Sequence, residues 1–156
     1  MTKHKKRDGN RKKKGVEGRW YYDACVLRAG RKTIDEIRGK SRRKKILISY
    51  LTLGEAYGSC CNEDKAVEEA FRELFREIRE LITIVNNDIP YKLFEGIREE
   101  CKRIGVADTV HLATAIKNNC ENLRTADRDI YGLTKETIQK LRNKFDVPKF
   151  TVTEMK

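Results

Sequence analysis

Four acidic residues occupy positions where the sequence predicts the end of a strand or the first turn of a helix. Each lies in an apolar stretch: Asp23 in WYYDACVL, Glu55 in ISYLTLGEAYG, Asp108 in VADTVHLATAI and Asp127 in NLRTADRDIYGL. An acid beside core-forming residues is costly unless a cation or a hydrogen-bonding partner compensates it. If the fold brings these four acids together, they predict a site for a divalent metal ion.

The elements that must position these acids alternate between short apolar stretches and longer amphipathic ones. Strands are predicted in WYYDACVL, with Asp23 inside the strand, and at Ile46–Ser49, Leu81–Val85, NLRTAD and Phe150–Thr153. Helices are predicted at Thr33–Arg38, after a Ser49 or Thr52 cap, at Ala66–Leu81, from an Asp88 cap to Ile104, from Asp108 and after a Thr134 cap. This alternation predicts an α/β fold with a mainly parallel sheet. In such sheets ligands bind at the carboxyl ends of the strands.

Length and composition set the class of protein. A chain of 156 residues is one domain of ordinary size, with 38% charged and 38% hydrophobic residues. Its longest apolar stretch, ILISYLTL, is far shorter than the roughly 20 residues of a membrane span, and no apolar segment follows the basic N-terminus as in a secretory signal. The five cysteines form no metal-binding spacing. We therefore expect a cytoplasmic protein with reduced cysteines, without membrane association or a zinc site.

The net charge of +11 is concentrated in two places. Residues 1–19 carry nine Lys and Arg against two acids, which predicts a disordered basic tail before a folded domain at 20–156. This tail could bind nucleic acid phosphates or only increase solubility. The second cluster, KSRRKK, contains Arg42, Arg43, Lys44 and Lys45. We expect it to guide a nucleic acid backbone toward the acids, although it could also be a charged loop or a surface for an acidic partner.

Most of the candidate residues also have an ordinary structural interpretation. Asp108 could be a helix cap, Asp127 a turn residue and Glu55 a solvated helix position, whereas Asp23 within an apolar strand has no comfortable structural role. Asp129 competes with Asp127 as the fourth acid, but we expect it to cap or turn the following loop. His111 is predicted to be a structural or surface histidine on a different side of its helix from Asp108.

Four motifs in sequence order resemble the PIN-domain nucleases, and the chain resembles the VapC-type toxins of that family in size. They are Asp23 in the first strand, a Ser/Thr-rich helix start with Glu55, the helix opening DTVHLATA from Asp108, and T-A-D-R-D from Thr125. The resemblance implies a three-layer α/β/α fold in which Asp23, Glu55 and Asp108 bind Mg²⁺ or Mn²⁺ directly or through water. Asp127 completes the pocket, and the Thr125 hydroxyl orients a carboxylate or a water. RNA as substrate, an antitoxin partner and a homodimer are implied by the family alone.

The leading hypothesis is a metal-dependent endoribonuclease with a four-carboxylate site. The basic N-terminal extension departs from the compact toxin pattern, so two functions stay open, a VapC-type toxin and an RNA-processing nuclease. A non-catalytic PIN-type RNA-binding scaffold is the alternative from a different class. A haloacid-type phosphatase is a weak alternative, because it needs Asp-x-Asp at the first strand, and this chain has Cys25 where that motif has its second Asp.

Overall fold

The computed structural model describes residues 18–156, so most of the predicted basic tail lies outside the described residues. Strands β1 to β5 are Arg19–Tyr22, Lys45–Ser49, Ile82–Val85, Asn122–Thr125 and Thr151–Glu154. Helices α1 to α8 are Ala24–Leu27, Arg31–Lys40, Tyr50–Cys61, Lys65–Ile78, Tyr91–Glu100, Val106–Lys117, Arg128–Tyr131 and Lys135–Phe145. Within this part of the chain, no helix is long and apolar enough to cross a membrane.

The strands form one parallel sheet in the order β3-β2-β1-β4-β5. The predicted α/β class with a mainly parallel sheet is therefore confirmed, and every strand pair is parallel. The chain builds outward from β1 to β3 on one side and then returns to place β4 on the other side of β1. This reversal opens a crevice between the carboxyl ends of β1 and β4, which is where parallel α/β sheets bind ligands.

Helices cover both faces of the sheet and enclose two hydrophobic cores. Tyr21 and Leu47 point to a core formed with α5, α6 and α8, whereas Tyr22, Ile46 and Ile48 point to a core formed with α1 to α4. Successive side chains of a strand face opposite sides, so an apolar run in a central strand supplies both cores. The three-layer α/β/α architecture is confirmed.

The prediction that WYYDACVL forms one strand is wrong in its second half. Strand β1 ends at Tyr22, and Ala24 begins a short helix whose N-cap is Asp23. The Asp23 carboxylate accepts a hydrogen bond from the Val26 amide at 3.3 Å. An apolar run has no periodicity that separates a buried strand from a buried helix, so only this cap marks the change. Asp23 consequently lies just beyond the strand end, at the carboxyl edge of the sheet.

Two further helix starts differ from their predictions. Asp88 does not cap α5, because the helix begins at Tyr91 with Pro90 at the N-cap position. Helix α6 begins two residues before Asp108, which therefore lies in the first turn and accepts a hydrogen bond from the Gly105 amide at 3.2 Å. Ser49 and Thr134 cap α3 and α8 as predicted.

Candidate functional site

The carboxyl edge of the sheet holds a cavity of about 430 Å³ that all four predicted acids line. Asp23 follows β1 and Asp127 follows β4, the two strands that flank the crevice. Glu55 comes from the second turn of α3, which leaves β2, and Asp108 comes from the first turn of α6, which leads into β4. Four separate elements thus deliver one carboxylate each to the same cavity.

Asp23 is the most buried of the four acids, with 2% of its surface exposed. The Thr125 hydroxyl at the end of β4 donates a hydrogen bond to its Oδ2 atom. The same hydroxyl accepts a hydrogen bond from the Asp127 amide at 2.9 Å. Thr125 therefore contacts the carboxylate of one acid and the backbone of another, and it couples their positions across two adjacent strands.

The acids of the cavity are difficult to ionise together. Burial raises the pKa of Asp23 above its ordinary value, and the neighbouring Asp127 raises it further. Burial also raises the pKa of Asp108, again with a contribution from Asp127. Both causes disfavour the charged carboxylates, and a bound cation would oppose both.

Asp129 lies closer to the acids than the sequence indicated. One carboxylate oxygen each of Asp108, Asp127 and Asp129 lies within 4.8 Å of the others, although Asp129 itself is exposed. The Asp129 amide donates to Asp127 Oδ1 at 2.8 Å, and Asp129 lies in the first turn of α7 instead of capping or turning the following loop. In the sequence, Asp127 and Asp129 were alternatives for the fourth acid, whereas the fold places both beside Asp108.

His111 is the functional candidate that the sequence placed wrongly. It was predicted on a different side of α6 from Asp108, but both residues line the cavity. Three residues of helix correspond to about 300°, so the two side chains are neighbours on one face. His111 is buried and bonds through Nε2 to Glu55 Oε2 at 2.8 Å. Its position within the DTVHLATA motif, one turn after Asp108, was the signal that could have identified it.

The predicted basic cluster lies away from this cavity. Residues 42–45 lie around the turn that leads from α2 into the first residue of β2, and so at the amino edge of the sheet. Strands of four or five residues separate the two edges by about 13–16 Å. Lys44 also bonds to Glu121 Oε2 at 2.7 Å. The cluster therefore does not line the cavity, and the expectation that it guides a nucleic acid backbone toward the acids stays a prediction.

Arg28 takes a place beside the acids that the sequence did not indicate. Among the described residues it is the only Lys or Arg that lines the cavity. It caps the C-terminus of α1, and its side chain is exposed. A cation at this position could contact a phosphate that approaches the acids.

The donor set fits a hard divalent cation. Carboxylate oxygens are the ligands that Mg²⁺ and Mn²⁺ prefer, and two oxygens on opposite sides of one Mg²⁺ are about 4.2 Å apart. The oxygens of Asp108, Asp127 and Asp129 lie within 4.8 Å of one another, so these three side chains could share an ion after moving closer to it. Asp23, which follows β1, and Glu55 of α3 line the same cavity.

Fold and site together define a parallel α/β protein with a carboxylate-lined cavity at the point where the strand order reverses. The family model for the PIN domain matches residues 21–136, so the chain belongs to the PIN domain family, whose members are generally nucleases. A similar fold occurs in the crystal structure of VapBC2 from Rickettsia felis bound to a DNA fragment from their promoter. The TM-score is 0.59 at 15% identity, covering 88% of this chain and 98% of that chain. No curated protein matches the chain significantly.

Proposed function

We propose that the protein is a metal-dependent endoribonuclease that hydrolyses RNA phosphodiester bonds in this cavity. The observation that carries the proposal is the convergence of Asp23, Glu55, Asp108 and Asp127 on one cavity at the carboxyl edge. Burial and repulsion from Asp127 raise the pKa values of Asp23 and Asp108. A bound cation would stabilise the charged forms of these carboxylates, so the cavity favours cation binding. The family supports this assignment, since PIN nucleases typically use divalent metals.

In this mechanism the acids would hold the metal, and Thr125 would keep Asp23 and Asp127 in position. Asp108 and Asp127, with Asp129 beside them, would hold Mg²⁺ or Mn²⁺, and Asp23 and Glu55 would complete the ligand shell directly or through water. The cation, when bound, supplies an activated water and neutralises charge at the scissile phosphate. Thr125 fixes the Asp23 carboxylate through its hydroxyl. Arg28 would contact the phosphate of the substrate, which the acids alone would repel.

RNA cleavage with a matched pair of variants tests this proposal. Full-length protein is incubated with a pool of structured RNAs in Mg²⁺, in Mn²⁺ or in EDTA, beside Asp23→Asn and Asp35→Asn. Asp35 is an exposed residue of α2, so its variant removes the same charge away from the cavity. We expect cleavage that requires metal, is lost in Asp23→Asn and persists in Asp35→Asn. RNA binding without cleavage under every metal condition would instead support the non-catalytic scaffold.

We also propose a protein partner, by analogy with a VapC-type toxin and its antitoxin. The similar fold in VapBC2 belongs to a complex, and this chain carries an apolar groove of about 450 Å³ between α3 and α4. Leu53, Tyr57, Phe71 and Phe75 line the groove, beside Arg72 and Arg76. Controlled expression in bacteria separates a toxin from a processing enzyme. A toxin stops growth unless Asp23 is replaced, whereas a processing nuclease leaves growth unchanged.

A homodimer and contacts between the basic residues and RNA complete the proposal. Sedimentation of the full-length chain tests the dimer, and a monomer at micromolar concentration would remove it. Arg42, Arg43, Lys44 and Lys45 at the amino edge would bind RNA away from the cleavage site. Replacing these four residues by Gln should weaken RNA binding and reduce its salt dependence without abolishing cleavage of saturating substrate.

A further inference from the structure

One buried histidine connects the centre of the sheet to an acid of the cavity. The His111 side chain is 3% exposed and lies between Tyr21 of β1 and Glu55 of α3. Its Nδ1 atom lies 2.8 Å from the Tyr21 hydroxyl, and its Nε2 atom lies 2.8 Å from Glu55 Oε2. Both ring nitrogens are therefore engaged, and the ring has a single orientation between two partners.

The Tyr21 hydroxyl is held in turn by the start of α3. It lies 2.8 Å from Ser49 Oγ and 3.0 Å from Thr52 Oγ1, both of which are buried. Ser49 also accepts a hydrogen bond from the Thr52 amide at the N-cap of α3. The segment that carries Glu55 is thus connected twice to Tyr21, once through the helix cap and once through His111.

The chemistry of the partners fixes the direction of the bond to Glu55. An ionised carboxylate only accepts hydrogen bonds, so His111 Nε2 must donate to it. In the neutral imidazole Nδ1 is then the acceptor, and the Tyr21 hydroxyl donates to it. Because Nε2 carries a proton and Nδ1 faces Tyr21, the ring has no free lone pair for a water or a substrate in the cavity.

We propose that His111 is a positioning residue that orients the Glu55 carboxylate for metal binding, with Tyr21 fixing the ring. This inference rests on the proposed function, because it requires Glu55 to take part in holding the cation. Glu55 is 35% exposed, and its side chain has several rotatable bonds. The bond from His111 to Oε2 selects one orientation of the carboxylate and leaves Oε1 for the cation. Removal of such an outer hydrogen bond typically weakens metal binding by about 10- to 100-fold.

Titration calorimetry with MnCl₂ on the full-length protein tests this role with two matched variants. The amide nitrogen of Gln in His111→Gln reaches the position of Nε2 and can still donate to Glu55, whereas the shorter Asn in His111→Asn cannot. We expect the Mn²⁺ dissociation constant to rise at least about tenfold in His111→Asn and to stay within about threefold in His111→Gln. In a Glu55→Gln background, His111→Asn should cause no further loss, because the carboxylate that it orients is absent.

The outcomes separate this inference from the proposed function. Wild-type protein that binds no Mn²⁺ overturns both. Wild-type protein that binds Mn²⁺, with His111→Asn equal to it or His111→Gln as weak as His111→Asn, overturns only the positioning role. If His111→Asn loses its cooperative thermal transition, Tyr21→Phe decides, since it keeps the ring but removes the hydroxyl on Nδ1. We expect at least about a threefold loss of Mn²⁺ affinity in Tyr21→Phe, and unchanged affinity would refute the inference.

Discussion

Replacing Thr125 by valine should destabilise the protein through two lost hydrogen bonds. The Thr125 hydroxyl donates to Asp23 and accepts from the Asp127 amide, and the side chain is fully buried. Valine puts a methyl group of similar size in the place of the hydroxyl, so the change leaves no cavity. The energetic effect therefore reports the hydrogen bonds and not the packing.

The two bonds set the expected magnitude. A hydrogen bond to a charged acceptor contributes about 1.5–3 kcal/mol, and the half-buried Asp127 amide, which can turn to water, adds about 0.5–1 kcal/mol. Thr125→Val should therefore lower the free energy of unfolding by about 2–4 kcal/mol at pH 7. Thr125→Ser keeps the hydroxyl and loses only a methyl group, which should cost about 1 kcal/mol.

Urea unfolding of the full-length variants in EDTA measures both values without any contribution from bound metal. The slope of unfolding free energy against urea must stay constant across the variants, so that the comparison concerns the native state. A loss below 1 kcal/mol in Thr125→Val, or a loss no greater than that of Thr125→Ser, would refute the role of the hydroxyl. Mn²⁺ affinity should fall in the same order, since the hydroxyl holds the Asp23 carboxylate in the cavity.

Three further measurements test other parts of the structure. Because burial raises the pKa of Asp23, its ionisation opposes folding, and stability is lost as the pH rises through that pKa. In EDTA, the difference in melting temperature between Asp23→Asn and wild type should therefore increase from pH 4 to pH 7. A difference that stays constant would contradict the burial argument. Although burial opposes it, hydrogen bonds from Arg124 and Tyr22 hold the pKa of Glu36 below its usual range, so this carboxylate stabilises the fold above about pH 4.3 and less as pH falls. Glu36→Gln should therefore lower the free energy of unfolding by about 1–2 kcal/mol at pH 7 and by less at pH 3, as measured by urea unfolding. An equal loss at both pH values would mean that the charge of Glu36 does not contribute to stability. Arg28→Ala should weaken RNA binding more than the control variant Arg31→Ala in a filter-binding assay. Arg31 is an exposed cation that pairs with Glu77 and does not line the cavity. Equal affinities of the two variants would mean that Arg28 does not contact the substrate.

Removal of residues 1–17, which lie outside the described residues, provides a separate test of the basic tail. If the tail binds phosphates, RNA affinity should fall and the dependence of log affinity on log salt should become shallower. Metal-dependent cleavage of saturating RNA should persist, because every residue that lines the cavity lies in the described part of the chain. An unchanged salt slope would mean that the tail does not contact the nucleic acid.

Local sequence determined the order of strands and helices and the position of the acids along it. The apolar runs around Tyr21 and Ile46 are continuous because both faces of a central parallel strand are buried. Asp127 could be placed just beyond a strand end because polar residues follow the apolar run there, whereas Asp23 was predicted inside the first strand. The point at which WYYDACVL changes from strand to helix could not be read from the sequence, since a short buried helix and a buried strand have the same composition.

The tertiary structure alone decided which of these residues meet. The hydrogen bond from Thr125 to Asp23 joins residues 102 positions apart, and the bond between His111 and Glu55 joins residues 56 positions apart. Both contacts depend on the strand order, because β4 pairs with β1 only after the chain has built β2 and β3 on the other side. The same topology places Lys44 and Lys45 at the amino edge, away from the acids. Residue type and spacing indicated the chemistry, but the pairing of distant strands determined which side chains share the cavity.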